Sequence, residues 1–503
     1  MERKGLDSSG FSVEDRGQGT TCLQDSKDSE RRETYTVEEA IDRIGYGAFQ
    51  MKLMFVIGLA WMADSMEVTI LAIVCPAIRC DWNLATWQEA TITTAVFSGM
   101  TVSTCIWGYV SDNFGRKKEV LACTVMVFAG AVLSMFAPNY FWIMVFSTVV
   151  GLGMGGVAQC MNLWAEFLPN RRRGILLNAL SLSWSLGSCV EITIALVVMP
   201  TLGWRWLFFL SSLPLLMFLC LCRVSTFSLL LAISLCFVSL SLPISKEENL
   251  NKTKFHWLAL VYPPSVGAAL FWRRYWFISL SVSSLIGDLP SFFLFAVFFF
   301  SRFSSHFVIY GIALITTEMF SRVDACRGIN PEGVHNKKSD HASHANCKQL
   351  DYEDYANYLI VMSGDILGLL FIFVMVDRIG RKMVQLVAFV GSAIFLAALF
   401  ICTRSITATT MFLYGSRLFI SIADMCGYVY TPEVYPTSMR GIGLGACSGA
   451  GRIGCMITPF VAMVLMPQSI LLSLSLYSGI SVLGIITVYL LPIETKGRAL
   501  QDY

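Results

Sequence analysis

Asp64 and Glu67 stand near the middle of an apolar stretch, residues 52–74, that is long enough to cross a bilayer. An ionisable side chain at such depth is costly and as a rule faces an aqueous path. Three residues apart, the two share one helix face. Carboxylates so placed can hold a cationic solute, or share and exchange a proton. Glu191, Arg417 and Asp424 lie at comparable depth in later apolar stretches. The five together make a candidate substrate or proton site near the membrane midplane. Trp184, Tyr310, Tyr428 and Tyr430 can add aromatic faces to the same cavity, although aromatic residues also serve as ordinary interface anchors. The competing structural reading is an interhelical ion pair, for example Asp64 with Arg417.

Twelve apolar segments must position these groups. They fall near 52–74, 89–111, 119–137, 140–163, 174–198 and 204–222, and then near 304–321, 357–376, 382–402, 408–431, 441–465 and 470–491. Each has about the 20 residues that a membrane-spanning helix needs. Hydrophobic residues make up 55% of the chain and charged residues only 14%, which points to an all-α polytopic membrane protein rather than a soluble enzyme. A net charge of +2 gives no nucleic-acid signal. No Ser-His-Asp set, metal-ligand cluster or phosphate loop stands out, so no catalytic residue, metal or cofactor is expected. Gly151-x-Gly153-x-Gly155-Gly156 has the look of a nucleotide loop, but it lies inside an apolar helix with no preceding strand. Close helix packing is the better account.

Punctuation between the segments repeats. Gly108-Tyr-Val-Ser-Asp112-Asn-Phe-Gly115-Arg116-Lys117-Lys118 joins two apolar segments, and Val376-Asp377-Arg378-Ile-Gly380-Arg381-Lys382 does so again in the second half. Glycine at 115 can supply a positive φ, the small Gly108 permits close helix packing, and Asp112 can face the positive N-terminus of another helix. After each turn comes a Glu-x-x-Pro-x-x-x-Arg-Gly stretch, carried by Glu166 and Arg173 first and by Glu433 and Arg440 second. Two long halves with the same punctuation in the same order are a parallel repeat, a plan known among transporters.

These motifs resemble those of the major facilitator superfamily, and within it the synaptic vesicle 2-related group, near the sugar and organic-ion porters. The resemblance rests on Tyr35–Gln50, on Gly58-Leu-Ala-Trp-Met-Ala-Asp64-Ser-Met-Glu67, on Ala165-Glu-Phe-Leu-Pro169 and on Pro492-Ile-Glu-Thr-Lys-Gly497. It covers roughly residues 35–222 and 304–500. It implies a major facilitator fold, two six-helix bundles that move a small-molecule or ion substrate by alternating access, with Gly108, Asp112, Gly115, Arg116, Glu166, Arg173, Asp377, Gly380, Arg381, Glu433 and Arg440 as gate motifs on the cytosolic side. The superfamily usually places an Arg in the fourth helix where this chain has Ser147. A non-transporting membrane protein that uses the fold to bind a ligand or partner is the alternative.

The expected division is a cytosolic tail with a short surface helix (1–50), a first bundle (51–222), an atypical segment (223–303), a second bundle (304–492) and a cytosolic tail (493–503). Residues 1–34 read as disordered. Thr36 and Glu39 form a capping box that opens the surface helix. No secretory signal peptide is expected before the first apolar segment. Basic residues at 116–118, 171–173, 378–382 and 440 gather on one side, while the opposite short loops hold at most a single cation, such as Arg79 or Arg404. The basic side is therefore expected in the cytosol, with both termini, in a plasma membrane or a synaptic-type vesicle. The opposite loop, roughly 322–356, holds Cys326 and Cys347, which can pair in an oxidising compartment. Its His335, His341 and His344 fit no standard zinc spacing.

Residues 223–303 match no cue of the family. Either they add membrane segments, or they are sequence foreign to a functional protein, and the lack of caps and periodicity favours the second. The sequon at Asn251 would be cytosolic and unused.

Overall fold

A computed structural model describes residues 45–157, 159–169, 173–222, 289–321, 350–401, 405–434, 440–491 and 494–495. The Thr36 capping box, the loop with Cys326 and Cys347 and most of 223–303 lie outside them. Twelve helices among the described residues are long and apolar enough to span a membrane. We label them α1 (Ala48–Trp82), α2 (Thr86–Phe114), α3 (Arg116–Met135), α4 (Tyr140–Val157), α5 (Arg173–Thr201), α6 (Trp204–Cys222), α7 (Leu289–Ser321), α8 (Tyr352–Ile379), α9 (Arg381–Ala398), α10 (Ile406–Val434), α11 (Arg440–Pro459) and α12 (Ile470–Leu490). A short helix, Gln159–Glu166, follows α4. After Pro459, which cannot donate a backbone hydrogen bond, α11 widens into a π turn over Phe460–Leu465.

Each half packs the same way. In the first, α1 lies on α5 and α4 lies on α2 and α3; in the second, α7 lies on α11 and α10 lies on α8 and α9. The halves meet along α2 with α11 and α5 with α8. Those two contacts are equivalent under the repeat, as a parallel duplication requires.

Small residues set the closest crossings. A Cβ on Gly99 would lie 2.8 Å from the Thr148 carbonyl oxygen, and one on Gly153 would lie 2.9 Å from that of Cys123. Alanine at either site would force α2 or α3 away from α4, so the glycine run of α4 serves packing, as its place in an apolar helix implied. Side chains such as Phe141, Val197, Leu370 and Ile394 point outward, the surface expected of helices facing lipid.

Both predicted turns carry a glycine in the left-handed region. Gly115 joins α2 to α3 with φ 90°, and Gly380 joins α8 to α9 with φ 103°. Gly108 departs from expectation. Among the described residues a Cβ there would meet nothing within 4 Å.

Three further expectations are corrected. The first helix continues through Pro76 to Trp82, well past 74. Arg79 is therefore a helix residue rather than a loop cation. The seventh helix begins at Leu289, not near 304, and Val297, Phe298, Ser301 and Arg302 are buried in the bundle. Residues 289–303 are thus helical and continuous with a spanning helix. The run of phenylalanines hid the start of α7, because an apolar run carries no helix signal of its own without caps.

Candidate functional site

A cavity opens between the halves. Its walls come from α1, α2 and α5 on one side and from α7, α8, α10 and α11 on the other. Asp64, Tyr310, Arg417, Asp424 and Tyr428 all line it, as does Trp184. Sequence positions more than 350 residues apart therefore converge, as the repeat demanded. Glu67 is buried but does not line the cavity. Glu191 is also outside it: its two carboxylate oxygens accept from Ser211 Oγ at 2.8 and 2.7 Å, inside the first bundle. A three-residue offset turns a side chain by about 60° from its helical neighbour, enough here to take Glu67 off the cavity wall. Tyr430 faces the core instead, stacked on Phe298 at 5.5 Å.

Two buried charge clusters build the wall of the second half. Arg417 donates to both oxygens of Asp365, from Nε at 2.8 Å and from Nη2 at 2.6 Å. It also donates to the Ile309 carbonyl of α7. The expected alternative, Arg417 paired with Asp64, is thus displaced by a bidentate pair between neighbouring helices α8 and α10. Asp424 accepts from Arg302 Nη1 at 3.1 Å and from Ser305 Oγ at 2.9 Å, and it lies 3.2 Å from His306 Nδ1. The Arg302 guanidinium stands 4.0 Å from the centroid of Tyr428, a cation–π contact. Tyr310 stacks on His306 and meets Phe97 of the first half edge-on at 5.3 Å.

The wall of the first half is different. Asp64 Oδ1 is buried and has no hydrogen-bond partner, and neither has the indole N–H of Trp61 one helical turn before it. Trp61 and Trp184 meet edge to face at 5.9 Å. Ser65 and Ser188 share a hydrogen bond at 2.6 Å and hold α1 to α5 beside them. A carboxylate next to two indole faces is an acceptor for an organic cation, since ring quadrupole and negative charge attract the same group.

The gate motifs lie at the end of the bundle that carries Gly115 and Gly380. Asp112 is in the last turns of α2 and Arg116 opens α3. Glu166 closes the short helix after α4, Arg173 opens α5, Asp377 is in the last turn of α8, and Arg440 opens α11. In the second half the side-chain contacts are explicit. Arg381 binds Glu433 at 3.2 Å, and Thr495 Oγ1 donates to the same carboxylate at 2.6 Å. Glu494 accepts from the backbone N–H groups of Arg381 at 2.8 Å and Lys382 at 3.1 Å. The anion that faces a helix N-terminus here is therefore Glu494 of the tail motif.

At the opposite end, contacts join the halves. Arg79 of α1 bridges Glu89 of α2 at 2.9 Å and Glu318 of α7 at 3.2 Å. Thr94 Oγ1 donates to the Met456 carbonyl at 3.2 Å. Cys80, beside Arg79, is disulfide-bonded to a partner outside the described side chains.

Sequence reasoning missed Asp365, Arg302, His306 and Arg452 in or beside the cavity. Asp365 and Arg452 are charged residues within predicted spans, so the rule that picked out Asp64 also identifies them. Arg302 lay in the segment set aside as atypical.

Comparison with known proteins agrees with this architecture. Residues 35–231 and 347–503 match the family described as sugar (and other) transporter. The chain is 40% identical over 473 residues to the synaptic vesicle 2-related protein of Xenopus laevis, covering 93% of this chain and 83% of that protein. It is 31% identical to the putative transporter SVOPL of Homo sapiens, covering 93% and 94% of the two chains. The fold is similar to that of the xylose transporter XylE from E. coli in its inward open conformation, with a TM-score of 0.63, 16% identity, and coverage of 90% of this chain and 98% of the other. With its twelve spanning helices, its internal repeat and these matches, the chain belongs to the sugar transporter family of the major facilitator superfamily, a multi-pass integral membrane protein with the fold of a transporter.

Proposed function

We propose that this protein moves a small organic solute that carries a cationic group across the membrane by alternating access, with Asp64 as the residue that receives that group. The observation that carries this reading is Asp64 itself, which lines a cavity shared by both halves together with Trp61 and Trp184 and has one buried carboxylate oxygen without a partner. A buried carboxylate without a partner costs several kcal/mol, of order 3–5, unless something supplies the missing charge. A bound cation does so, and a proton does so between cycles. Glu67 one turn away raises the local negative potential and can share that proton.

The family's name includes sugars, but the lining argues against a neutral polyol. Neutral hydroxyls are matched by amides that both donate and accept, and no Asn or Gln is among the described residues that line the cavity. Charges, indoles, phenols and thioethers line it instead, with the hydroxyls of Ser65, Thr69, Ser181, Ser188 and Ser448 as its neutral hydrogen-bonding groups.

Positive-inside bias assigns the Gly115 end to the cytosol together with both termini. The disulfide at Cys80 supports an oxidising compartment at the other end, either outside the cell or inside a vesicle. Contacts between the halves at Arg79, Thr94 and Phe97 then close the non-cytosolic side. Gly108 has no close neighbour among the described residues, as expected if its close contact belongs to the opposite state. The salt-bridged set of Arg381, Glu433, Glu494 and Thr495 holds the second bundle rigid while the bundles rock.

Purified protein in proteoliposomes, screened with labelled organic cations, tests the proposal. It predicts saturable uptake that is lost in Asp64→Asn. Saturable binding with neither uptake nor counterflow would instead favour a non-transporting, ligand-binding protein.

A further inference from the structure

Arg452 is the cavity's second unsatisfied charge. Two arginines line the cavity, and they differ in their commitments. Arg417 is held in the bidentate pair with Asp365 and by the Ile309 carbonyl. Arg452, on α11, has a buried Nε without any hydrogen-bond partner. It is near enough to Asp64, His306, Tyr310 and Tyr428 to interact with their charges and dipoles, yet it makes no hydrogen bond with any of them. Ser448, one turn before it on the same helix face, also lines the cavity.

Asp64 and Arg452 come from opposite halves and face one space. They are of opposite sign and are not bonded to each other. A guanidinium is a forked donor matched to a carboxylate. We propose that the ligand is a zwitterion, with its ammonium at Asp64 against the Trp61–Trp184 pair and its carboxylate on Arg452. This deepens the proposed function and rests on its assignment of Asp64. A purely cationic ligand would leave Arg452 unmatched in a low-dielectric site, and an anion would leave Asp64 so. A zwitterion compensates both at once. Because each pole is held by a different half, it also ties the two bundles together, which gives the ligand a differential hold on the closed state.

Three probes of one shape test it. 4-(Trimethylammonio)butyrate carries both charges, butyltrimethylammonium lacks the carboxylate, and 5,5-dimethylhexanoate replaces the ammonium by carbon. Binding is read on the full-length protein by ligand-induced thermal stabilisation, in wild type, Asp64→Asn, Arg452→Gln and Arg452→Lys. The zwitterion should bind at least tenfold more tightly than either singly charged analogue. Arg452→Gln should remove that advantage by weakening the zwitterion while the cation, relieved of a like charge, binds no less tightly, with partial recovery in Arg452→Lys. Asp64→Asn should weaken the zwitterion and the cation but not the anion. If Arg452→Gln fails to fold, Arg452→Lys still decides, since only a carboxylate ligand is weakened by loss of the fork.

Equal binding of zwitterion and cation would overturn the proposal and leave a cation carrier standing. Failure of all three probes to bind wild type would also overturn it. Tight zwitterion binding without uptake in proteoliposomes would sink the transport reading and leave this one intact.

Discussion

On the wall built by α1 and α5, Asp64 leaves an oxygen without a partner beside two indoles. On the wall built by α7, α8 and α10, Asp365 is held bidentately by Arg417, and Asp424 is held by Arg302, Ser305 and His306. The two walls belong to opposite halves of the molecule, and each carries carboxylates at membrane depth. They differ in whether each charge is already spoken for. Depth in the membrane marks a group as costly, but only its partners tell whether that cost is met by the fold or left to a ligand. Paired charges fix the second bundle, and unpaired charges remain available for recognition.

Breaking a pair should therefore hurt stability most. Asp365→Asn leaves Arg417 buried without its counter-charge, and about 3–5 kcal/mol of stability should be lost. Thermal unfolding in detergent reads this directly, and a loss below 1 kcal/mol would erase the contrast between the walls. Asp424→Asn should cost less, about 2–3 kcal/mol. Arg302 keeps the Asp424 backbone carbonyl at 2.9 Å and the face of Tyr428.

The gate gives a smaller effect. Glu494→Gln keeps one of the two acceptors at the N-terminus of α9 but removes the other and the negative charge, which should lower stability by about 1–2 kcal/mol and more at low ionic strength. A salt titration of the unfolding temperature of both proteins checks it; the difference should shrink as salt rises. Gly108→Leu should change stability least, by less than about 1 kcal/mol, because none of the described residues lies within 4 Å of a Cβ built there. Uptake should nevertheless fall if the opposite state needs close contact there. Normal uptake by this variant would remove the role proposed for Gly108.

Much of the fold was legible because its signals are strong and local. Twelve apolar runs, two Asp-x-x-Gly-Arg turns and two Glu-x-x-Pro stretches can be read without tertiary information, and both turn glycines have the positive φ that their position demanded. Helix ends were less legible. Apolar sequence continues past the bilayer in α1, and in α7 the phenylalanine run at 292–300 hid the first half of the helix along with Arg302. The site was half legible. Depth picked out Asp64, Arg417 and Asp424 correctly as cavity residues. It could not tell that Arg417 is tied to Asp365, 52 positions away, because partner choice depends on how α8 and α10 face each other. Nor could it tell that Glu67 and Glu191 turn away from the cavity, since helix rotation is set by packing rather than by sequence depth.

Asp64→Asn, measured for uptake and thermal stability on one purified preparation beside Asp365→Asn, tests the central contrast most directly. The account predicts that Asp64→Asn loses at least tenfold in uptake while its unfolding free energy stays within about 1 kcal/mol of wild type, and that Asp365→Asn is the variant that unfolds early. Normal uptake by Asp64→Asn, or a loss of stability equal to that of Asp365→Asn, would contradict it.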